Sequence, residues 1–319
     1  VTTVVLIAPM TVLIAEFLDI SPVPLLMSQA IFSNTGGMAT LVGDPPNILI
    51  GTAAGLSFND FLTHMGPIVL VMWGSIFLVL RYRMGEGLRT PEAAPQRGSA
   101  LQSLDAHAAL TDRRSARRVL LVLAGVIALF MLERPLHITP AFAALTGSGV
   151  ALAWTQGGVH DILKDVEWDV LLFFTGLFVM VGGLEAAGVL SQVAERLLDL
   201  QDISPVLLGL IVMWALVVLS ALVDNVPVTI AMIPVVLNLG ARGVDIQPIW
   251  WAVVLGTGIG GNATPIGSTA NVVVIAISER TDRAITDREW LSVGIPTVIV
   301  STLVASALYV LLFDFLSAG

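Results

Sequence analysis

The chain has 319 residues, of which 56% are hydrophobic and only 12% are charged, whereas soluble domains carry about a quarter charged residues. This composition excludes a disordered chain, a nucleic-acid-binding protein and an ordinary cytosolic enzyme, and it predicts an all-α polytopic membrane protein. The formal net charge of −9 indicates no particular partner, because the charges lie between the apolar segments. The chain has no cysteine, which excludes disulfides and thiolate metal sites.

Apolar stretches near the length of about 20 residues that a membrane-spanning helix needs recur along the chain. The uninterrupted ones are residues 61–80, 119–132, 139–154, 170–190 and 290–313. Others are interrupted in their middle by glycines, prolines or an Asp-Asn pair, and these are residues 20–50, 205–240 and 246–278. The sequence therefore predicts continuous transmembrane helices together with helices that are broken inside the membrane.

A basic segment separates two apolar regions of the chain. Residues 81–118 contain eight arginines together with Pro91, Pro95 and Gly98. Short loops rich in arginine lie on the cytoplasmic side of a membrane. We therefore predict three parts: a first repeat over residues 1–80, a cytoplasmic arginine-rich linker over 81–118, and a second repeat over 119–319.

The two repeats are recognised by a shared pattern. Residues 36–47 read GGMATLVGDPPN and residues 260–271 read GGNATPIGSTAN, so both match GGxATxxGxxxN. Residues 1–9 align in the same way with residues 226–234, and Phe61-Leu62 aligns with Trp290-Leu291. Three blocks in one order at a nearly constant offset indicate a duplicated unit.

The repeat also predicts the orientation of the two units and a truncated first unit. Residues 119–225 precede the second copy of the aligned block, whereas nothing precedes Val1, so we expect roughly a hundred residues before it in the complete protein. If Asp224-Asn225 is the tip of a re-entrant hairpin, the second unit crosses the membrane five times. An odd number of crossings inverts it relative to the first unit, which predicts an inverted-repeat secondary transporter.

The interrupted segments are where an ion or substrate is expected to bind. Unpaired backbone groups survive at membrane depth only where they line a cavity or are buried in protein, and half-helix ends attract ions. Small and polar residues at the breaks and at the hairpin tip are therefore the candidate ion- and substrate-binding residues. They are Asn34, Thr35, Gly36, Gly37, Thr40, Gly43, Asp44, Asn47, Asp224, Asn225, Gly260, Gly261, Asn262, Thr264, Gly267, Ser268, Thr269 and Asn271.

Two carboxylates lie inside apolar segments. A charge at membrane depth costs several kcal/mol, so Asp44 and Asp224 are functional candidates that carry a proton or pair with Na⁺. We predict a Na⁺ position near Asp224, Asn225 and Asn262, and no cofactor besides this coupling ion, Na⁺ or H⁺. The four histidines have no metal-ligand spacing and no nucleophile–base arrangement is evident, so no enzymatic activity is expected.

The two blocks and Asp224-Asn225-Val226-Pro227 resemble the ion transporter superfamily, most closely its arsenite-permease and P-protein-like branch, which is related to the sodium/dicarboxylate symporters. The resemblance implies an inverted-repeat secondary transporter with two re-entrant hairpins and two unwound transmembrane helices. These form a scaffold and a transport domain that moves as an elevator in a homodimer. It also implies that Asp224-Asn225-Val226 is a hairpin tip facing the two unwound loops. Related symporters carry Ser-Asn-Thr at this tip, and Asp224 favours a cation or proton over a dicarboxylate.

The resulting prediction is a secondary active transporter of an inorganic ion or small anion, arsenite-permease-like and coupled to Na⁺ or H⁺ as a symporter or antiporter. We place it in the lipid of a bacterial cytoplasmic (inner) membrane, as a homodimer without a nucleic-acid partner. A Na⁺/H⁺ antiporter of the same fold is the first alternative. A passive ion channel is the alternative of another class.

Overall fold

A computed structural model describes residues 2–85, 113–155, 164, 166, 168–189, 192, 195–196, 203–281 and 283–318 of the chain. These residues form helices and turns without a β-strand, which confirms the all-α class for this part of the chain. The helices with defined bounds are α1 (Thr2–Leu18), α2 (Pro22–Gly37), α3 (Pro45–Ala54), α4 (Phe58–Met84), α5 (Arg113–Met131), α6 (Glu133–Leu136), α7 (Pro140–Thr155), α8 (Trp168–Ala186), α9 (Pro205–Leu222), α10 (Asn225–Ala241), α11 (Gln247–Gly260), α12 (Thr269–Ser278), α13 (Asp287–Leu311) and α14 (Phe313–Ser317).

The predicted linker is described only at its two ends. α4 carries Arg81 and Arg83 in its last turn, and α5 begins at Arg113. The middle of the predicted linker, residues 86–112, lies outside the described residues. Six of the eight arginines of this segment therefore lie in the last turn of α4 or in the first turns of α5.

The chain divides into two compact units. Among the described residues, the first unit contains 2–56, 60–85 and those from 177 onward, and the second contains 57–59 and those from 113 to 176. In the second unit α5 packs against α7, and Phe58 stacks on Phe130 with ring centroids 5.7 Å apart. All candidate site residues belong to the first unit. The division into repeats at residues 80 and 118 stays a prediction.

The starts of α2 and α9 follow from capping residues in the sequence. Ser21 precedes Pro22 and Ser204 precedes Pro205, and the side-chain oxygen of each serine accepts a hydrogen bond from a backbone N–H in the first turn. Serine is favoured at this position because it satisfies an otherwise unpaired N–H. Proline fits the first helical position because its missing N–H is not needed there.

Helix breaks occur where the sequence predicts them. The first loop, residues 38–44, separates α2 from α3, and the second loop, residues 261–268, separates α11 from α12. Pro45 and Pro46 begin α3 and cannot continue α2, because they lack the N–H that a helix interior needs. A further break at Val223 and Asp224 separates α9 from α10. This break is the predicted hairpin tip, whose re-entrant position in a membrane stays a prediction.

The two loops have closely similar local structure. The helices that follow them, α3 and α12, have 10 residues each. Asp44, which precedes α3, has φ −149° and ψ 145°, and Ser268, which precedes α12, has φ −156° and ψ 145°. The similarity that the sequence shows at these two blocks therefore extends to the backbone conformation.

Helices from the two ends of the chain pack across one another around the loops. α2 packs against α12 and α11 packs against α3, while α1 contacts α12 and α10 contacts α3. The helices around one loop thus lie against the short helix that follows the other loop. Fully buried apolar side chains, including Leu26, Ile31, Val274 and Trp290, fill the space between α2, α12 and α13.

Several described helices suit a membrane. By length and composition, α4, α9 and α13 are long and apolar enough to cross one. α4 and α13 correspond to the predicted stretches 61–80 and 290–313. The stretches 119–132, 139–154 and 170–190 correspond to α5, α7 and α8, of which α5 begins with an arginine-rich turn. The described helices therefore agree with an integral membrane protein.

Candidate functional site

The first loop is braced by an asparagine in the first turn of α3. Asn47 Nδ2 donates hydrogen bonds to Gly37 O and to Thr40 O, each at 2.9 Å. The side chain is almost completely buried, with 2% of the residue exposed. The amide is the donor to the buried carbonyl of Gly37, and it adds a second donor to Thr40 O, which also accepts from Gly43 N at 3.1 Å.

The second loop is braced in the same way. Asn271 Nδ2 in the first turn of α12 donates to Gly261 O at 2.7 Å and to Thr264 O at 2.9 Å. Each of these three residues lies 224 positions after its counterpart in the first loop. The final asparagine of the GGxATxxGxxxN pattern is therefore a structural brace in both loops.

The brace leads to a prediction about stability. We expect Asn47→Asp to lower the unfolding temperature of the protein in detergent, because a carboxylate cannot donate to the two carbonyls and repels them. The buried Gly37 carbonyl would be left without this donor, which costs about 1–3 kcal/mol, while Thr40 O would keep its bond from Gly43 N. The measurement is thermal unfolding of the variant beside the wild type.

Asn238→Asp is the matched control for this substitution. Asn238 is partly exposed on α10 and its Oδ1 accepts from Arg242 Nε at 3.1 Å, a bond that an aspartate keeps. We expect this control to unfold at about the wild-type temperature. An Asn47→Asp protein that is as stable as the control would refute the role of Asn47 as a brace.

Paired glycines let the two ends of each loop approach closely. A Cβ on Gly43 would collide with Gly37 O, and a Cβ on Gly267 would lie 2.8 Å from Gly261 O. Real Cβ atoms do not come this close to a backbone oxygen, so a larger residue would force the loop apart. The glycines of the repeated pattern are therefore required by the packing of backbone on backbone.

Five polar side chains from α2, α12 and the second loop form one buried group, which we name the amide cluster: Asn34, Thr35, Asn262, Ser268 and Asn271. Asn34 Nδ2 donates to Asn262 Oδ1 and to Asn271 Oδ1, both at 2.9 Å, and Asn34 Oδ1 accepts from Ser268 Oγ at 2.9 Å. Asn262 Nδ2 donates to Thr35 Oγ1 at 3.2 Å. The amide cluster joins the two predicted repeats through neutral groups alone.

A carboxylate joins the first loop to the break between α9 and α10. Asn225 Nδ2 donates to Asp44 Oδ2 at 2.9 Å, and Asn225 is 5% exposed. Asp44 precedes α3 but makes no side-chain cap on it, so its carboxylate is directed to the other repeat. Asp44 and Asn225 therefore form a contact between a carboxylate of the first loop and an amide at the break between α9 and α10.

Asp224 has a different environment from Asp44. Its Oδ1 accepts a hydrogen bond from Val226 N at 2.9 Å, so the carboxylate caps the start of α10. The three residues predicted to lie around a cation therefore have different partners. Asp224 caps α10, Asn225 contacts Asp44, and Asn262 belongs to the amide cluster. The Na⁺ position predicted near these three residues stays a prediction.

The remaining candidates lie near the breaks in other roles. Thr264 Oγ1 donates to Ala221 O at 2.7 Å, and the side chain of Thr269 is exposed at the start of α12. A Cβ on Gly36 would meet the ring of Trp73, and one on Gly260 would meet the α9 backbone, so both are close-packing positions. Their part in binding stays a prediction.

Sequence reasoning missed the supports behind the second loop. Trp290 Nε1 donates to Asn262 O at 3.2 Å, and Ser220 Oγ donates to Thr257 O at 2.8 Å. The alignment of Trp290 with Phe61 in the repeat was the available signal, but a fully buried tryptophan at this spacing is also typical of an ordinary core position. Among the described residues, no group of three or more histidine, aspartate or glutamate side chains is arranged to hold a metal ion.

Comparison with known families gives one match over most of the chain. A family model described as a citrate transporter matches residues 1–256. This region includes the first loop, the break at Val223 and Asp224, and most of α11.

Comparison with curated proteins gives bacterial relatives that are named as uncharacterised transporters and a human relative that is named P protein. An uncharacterised transporter of Mycobacterium tuberculosis is 39% identical over 312 residues, covering 97% of this chain and 72% of the relative. An uncharacterised transporter of Synechocystis is 30% identical over 344 residues, covering 100% of this chain and 74% of the relative. The P protein of Homo sapiens is 28% identical over 380 residues, covering 94% of this chain and 45% of the relative.

Proposed function

Since the chain belongs to the citrate transporter family of the ion transporter superfamily, we propose that it is a secondary active transporter of a small anion, with Na⁺ or H⁺ as the coupling ion. Its relatives are transporters rather than enzymes. Membership of this superfamily confirms the resemblance stated from the sequence motifs.

The contact between Asp44 and Asn225 carries the proposal. A carboxylate beside a helix break inside apolar segments is a functional candidate by default, and here an amide from the other repeat holds one of its oxygens at 2.9 Å. Binding of Na⁺ or H⁺ at the carboxylate would change its charge and therefore its contact with Asn225. Such a change supplies a physical link between ion binding and movement at the break.

The chemistry of the helix starts supports a cation at the first loop and an anion at the second. α3 begins with Pro45 and Pro46, which have no N–H to offer an anion, and Asp44 adds a negative charge. α12 begins with Thr269, which keeps its N–H and has an exposed side chain. Helix N-termini bind anions through free N–H groups. Since Ala270 N donates to Ser268 Oγ and Asn271 N to Ser268 O, the N–H and hydroxyl of Thr269 are the groups we propose for the anion.

The contacts that cross between the repeats support an inverted-repeat transporter. Asn34 on α2 contacts the second loop, and the corresponding position on α11, Gly258, lies against Met38 of the first loop. Such an exchange of contacts is expected when two copies of one unit face each other across the site. A homodimer in a bacterial cytoplasmic membrane is the assembly we propose, in keeping with the bacterial relatives.

Solute uptake into proteoliposomes of the full-length protein tests the proposal. The solutes are citrate, because the family is described by it, together with other di- and tricarboxylates, arsenite, chloride, sulfate and Na⁺. Each is tested with an imposed Na⁺ gradient, an imposed pH gradient and no gradient, and liposomes without protein are the control. We expect one anion to accumulate with one of the gradients, and no gradient-driven uptake of any solute would refute the proposal.

Replacing Asp224 separates the anion carrier from the Na⁺/H⁺ antiporter. We expect Asp224→Asn to keep anion uptake within about twofold of wild type, because asparagine caps a helix as well as aspartate does and keeps the bond from Val226 N. An antiporter that uses this carboxylate would instead lose exchange completely. The measurement is uptake of the identified anion beside Na⁺-driven proton movement in the same vesicles.

A further inference from the structure

The two loops have similar backbone conformations but differ in the side chains that lie against them. Asn47 and Asn271 hold them through matching hydrogen bonds to loop carbonyls. Around the second loop, the Oδ1 atoms of Asn262 and Asn271 converge on a single group, the amide of Asn34. The two loops are therefore alike in conformation and unlike in what lies against them.

The Asn34 amide has the contacts of a bound cation. Its nitrogen donates both of its hydrogens to side-chain oxygens at 2.9 Å, and those oxygens belong to residues with 1% and 0% exposure, Asn262 and Asn271. Neutral oxygens converging at one point are what a small monovalent cation requires when it leaves water. A neutral amide is cheaper to bury than an ion, because it carries no net charge to desolvate.

At the first loop, the position that corresponds to Asn34 has no amide, and the Asn225 amide lies on Asp44 instead. Counting 224 positions along the repeat, the counterpart of Asn34 is Gly258, and the counterpart of Asn262 is Met38. Gly258 lies directly against the Met38 side chain, so this contact is apolar. The counterpart of Ser268 is Asp44, which places a carboxylate where the second loop has a hydroxyl.

We propose that the Asn34 amide permanently takes the place of a cation at the second loop, so that the protein binds its coupling ion only at the first loop, beside Asp44. The part concerning the coupling ion rests on the proposed function, whereas the part concerning Asn34 rests on the amide cluster alone. Asn34 then determines how many ions are coupled to each transport cycle. In this role it is a residue that sets the coupling stoichiometry.

The inference is tested by restoring a cation site at the second loop. In an Asp44→Asn background, which removes the carboxylate of the first loop, Asn34→Asp places a negative charge among the oxygens of Asn262 and Asn271. Thermal unfolding of the purified full-length protein is measured at pH 8 in NaCl, KCl and choline chloride at equal ionic strength. We expect the double variant to unfold about 3 °C or more higher in NaCl than in choline chloride, and Asp44→Asn alone to show no difference.

Two further variants keep the test decisive. Asn238→Asp in the same background adds an equal charge on α10 outside the site and should show no preference for Na⁺. If Asn34→Asp does not fold, Asn34→Ala removes the amide and leaves the oxygens of Asn262 and Asn271 free for a cation. This variant should then gain the NaCl-specific rise.

The outcomes separate this inference from the proposed function. A folded Asn34→Asp protein without a NaCl-specific rise, or an Asp44→Asn single variant that already shows one, would overturn the role of Asn34. The same is true of an equal rise in choline chloride, because that response would be one of ionic strength. The unfolding result does not depend on uptake, so a protein without coupled uptake could still gain the Na⁺ response through Asn34→Asp.

Discussion

Gradient-driven uptake is expected to fall roughly ten- to a hundredfold in an Asp44→Asn variant that remains folded. Asparagine keeps an oxygen that can accept the bond from Asn225 Nδ2, so the substitution removes the charge and preserves the contact. An interaction with a charged group contributes about 1.5–3 kcal/mol, which corresponds to about ten- to hundredfold weaker binding of the coupling ion. The measurement is initial uptake against ion concentration in proteoliposomes.

Asp245→Asn is the matched control for Asp44→Asn. Asp245 is exposed before α11, and its Oδ1 accepts from Gln247 N at 3.1 Å, an interaction that asparagine can also make. We expect this variant to transport at the wild-type rate with an unchanged dependence on the coupling ion. Wild-type coupling in the Asp44→Asn protein would show that the ion binds elsewhere.

Gly43→Ala is expected to abolish transport and to lower the unfolding temperature strongly. The added methyl group would collide with the carbonyl group of Gly37 and lie 2.9 Å from the side-chain oxygen Thr40 Oγ1, and the Gly37 backbone cannot move away without opening the loop. Overpacking of this kind costs about 3 kcal/mol at the upper end of its usual range. Thermal unfolding in detergent and uptake in vesicles measure the two effects.

The second loop provides a graded comparison for this substitution. Gly267→Ala should be less damaging, because its added Cβ would lie 2.8 Å from Gly261 O, a weaker collision. Gly74→Ala in α4 is the control, since a Cβ there has open space and alanine favours a helix. Equal stability of the Gly43→Ala and Gly74→Ala proteins would contradict the close approach of the loop backbone.

Much of the first unit could be predicted because its signals are local. The two glycine blocks, Pro45-Pro46 and Asp224-Asn225 lie at the helix breaks that the structure contains. The repeated pattern correctly marked Asn47 and Asn271 as equivalent, although their role as braces needed coordinates. Asp224, Asn225 and Asn262, near which a Na⁺ position is predicted, have separate partners in the structure.

The all-α membrane class, the positions of the breaks and the polar residues there can be predicted from the sequence. These properties depend on the length of apolar runs and on the backbone preferences of glycine and proline, which act within a few residues. Which polar groups contact one another is known only from the packing of the helices. Asn225 pairs with Asp44 across 181 positions and Asn34 with Asn262 across 228, because α2 packs on α12 and α10 on α3. Distant pairings of this kind are set by the packing of whole helices, which leaves no local mark in the sequence of either partner.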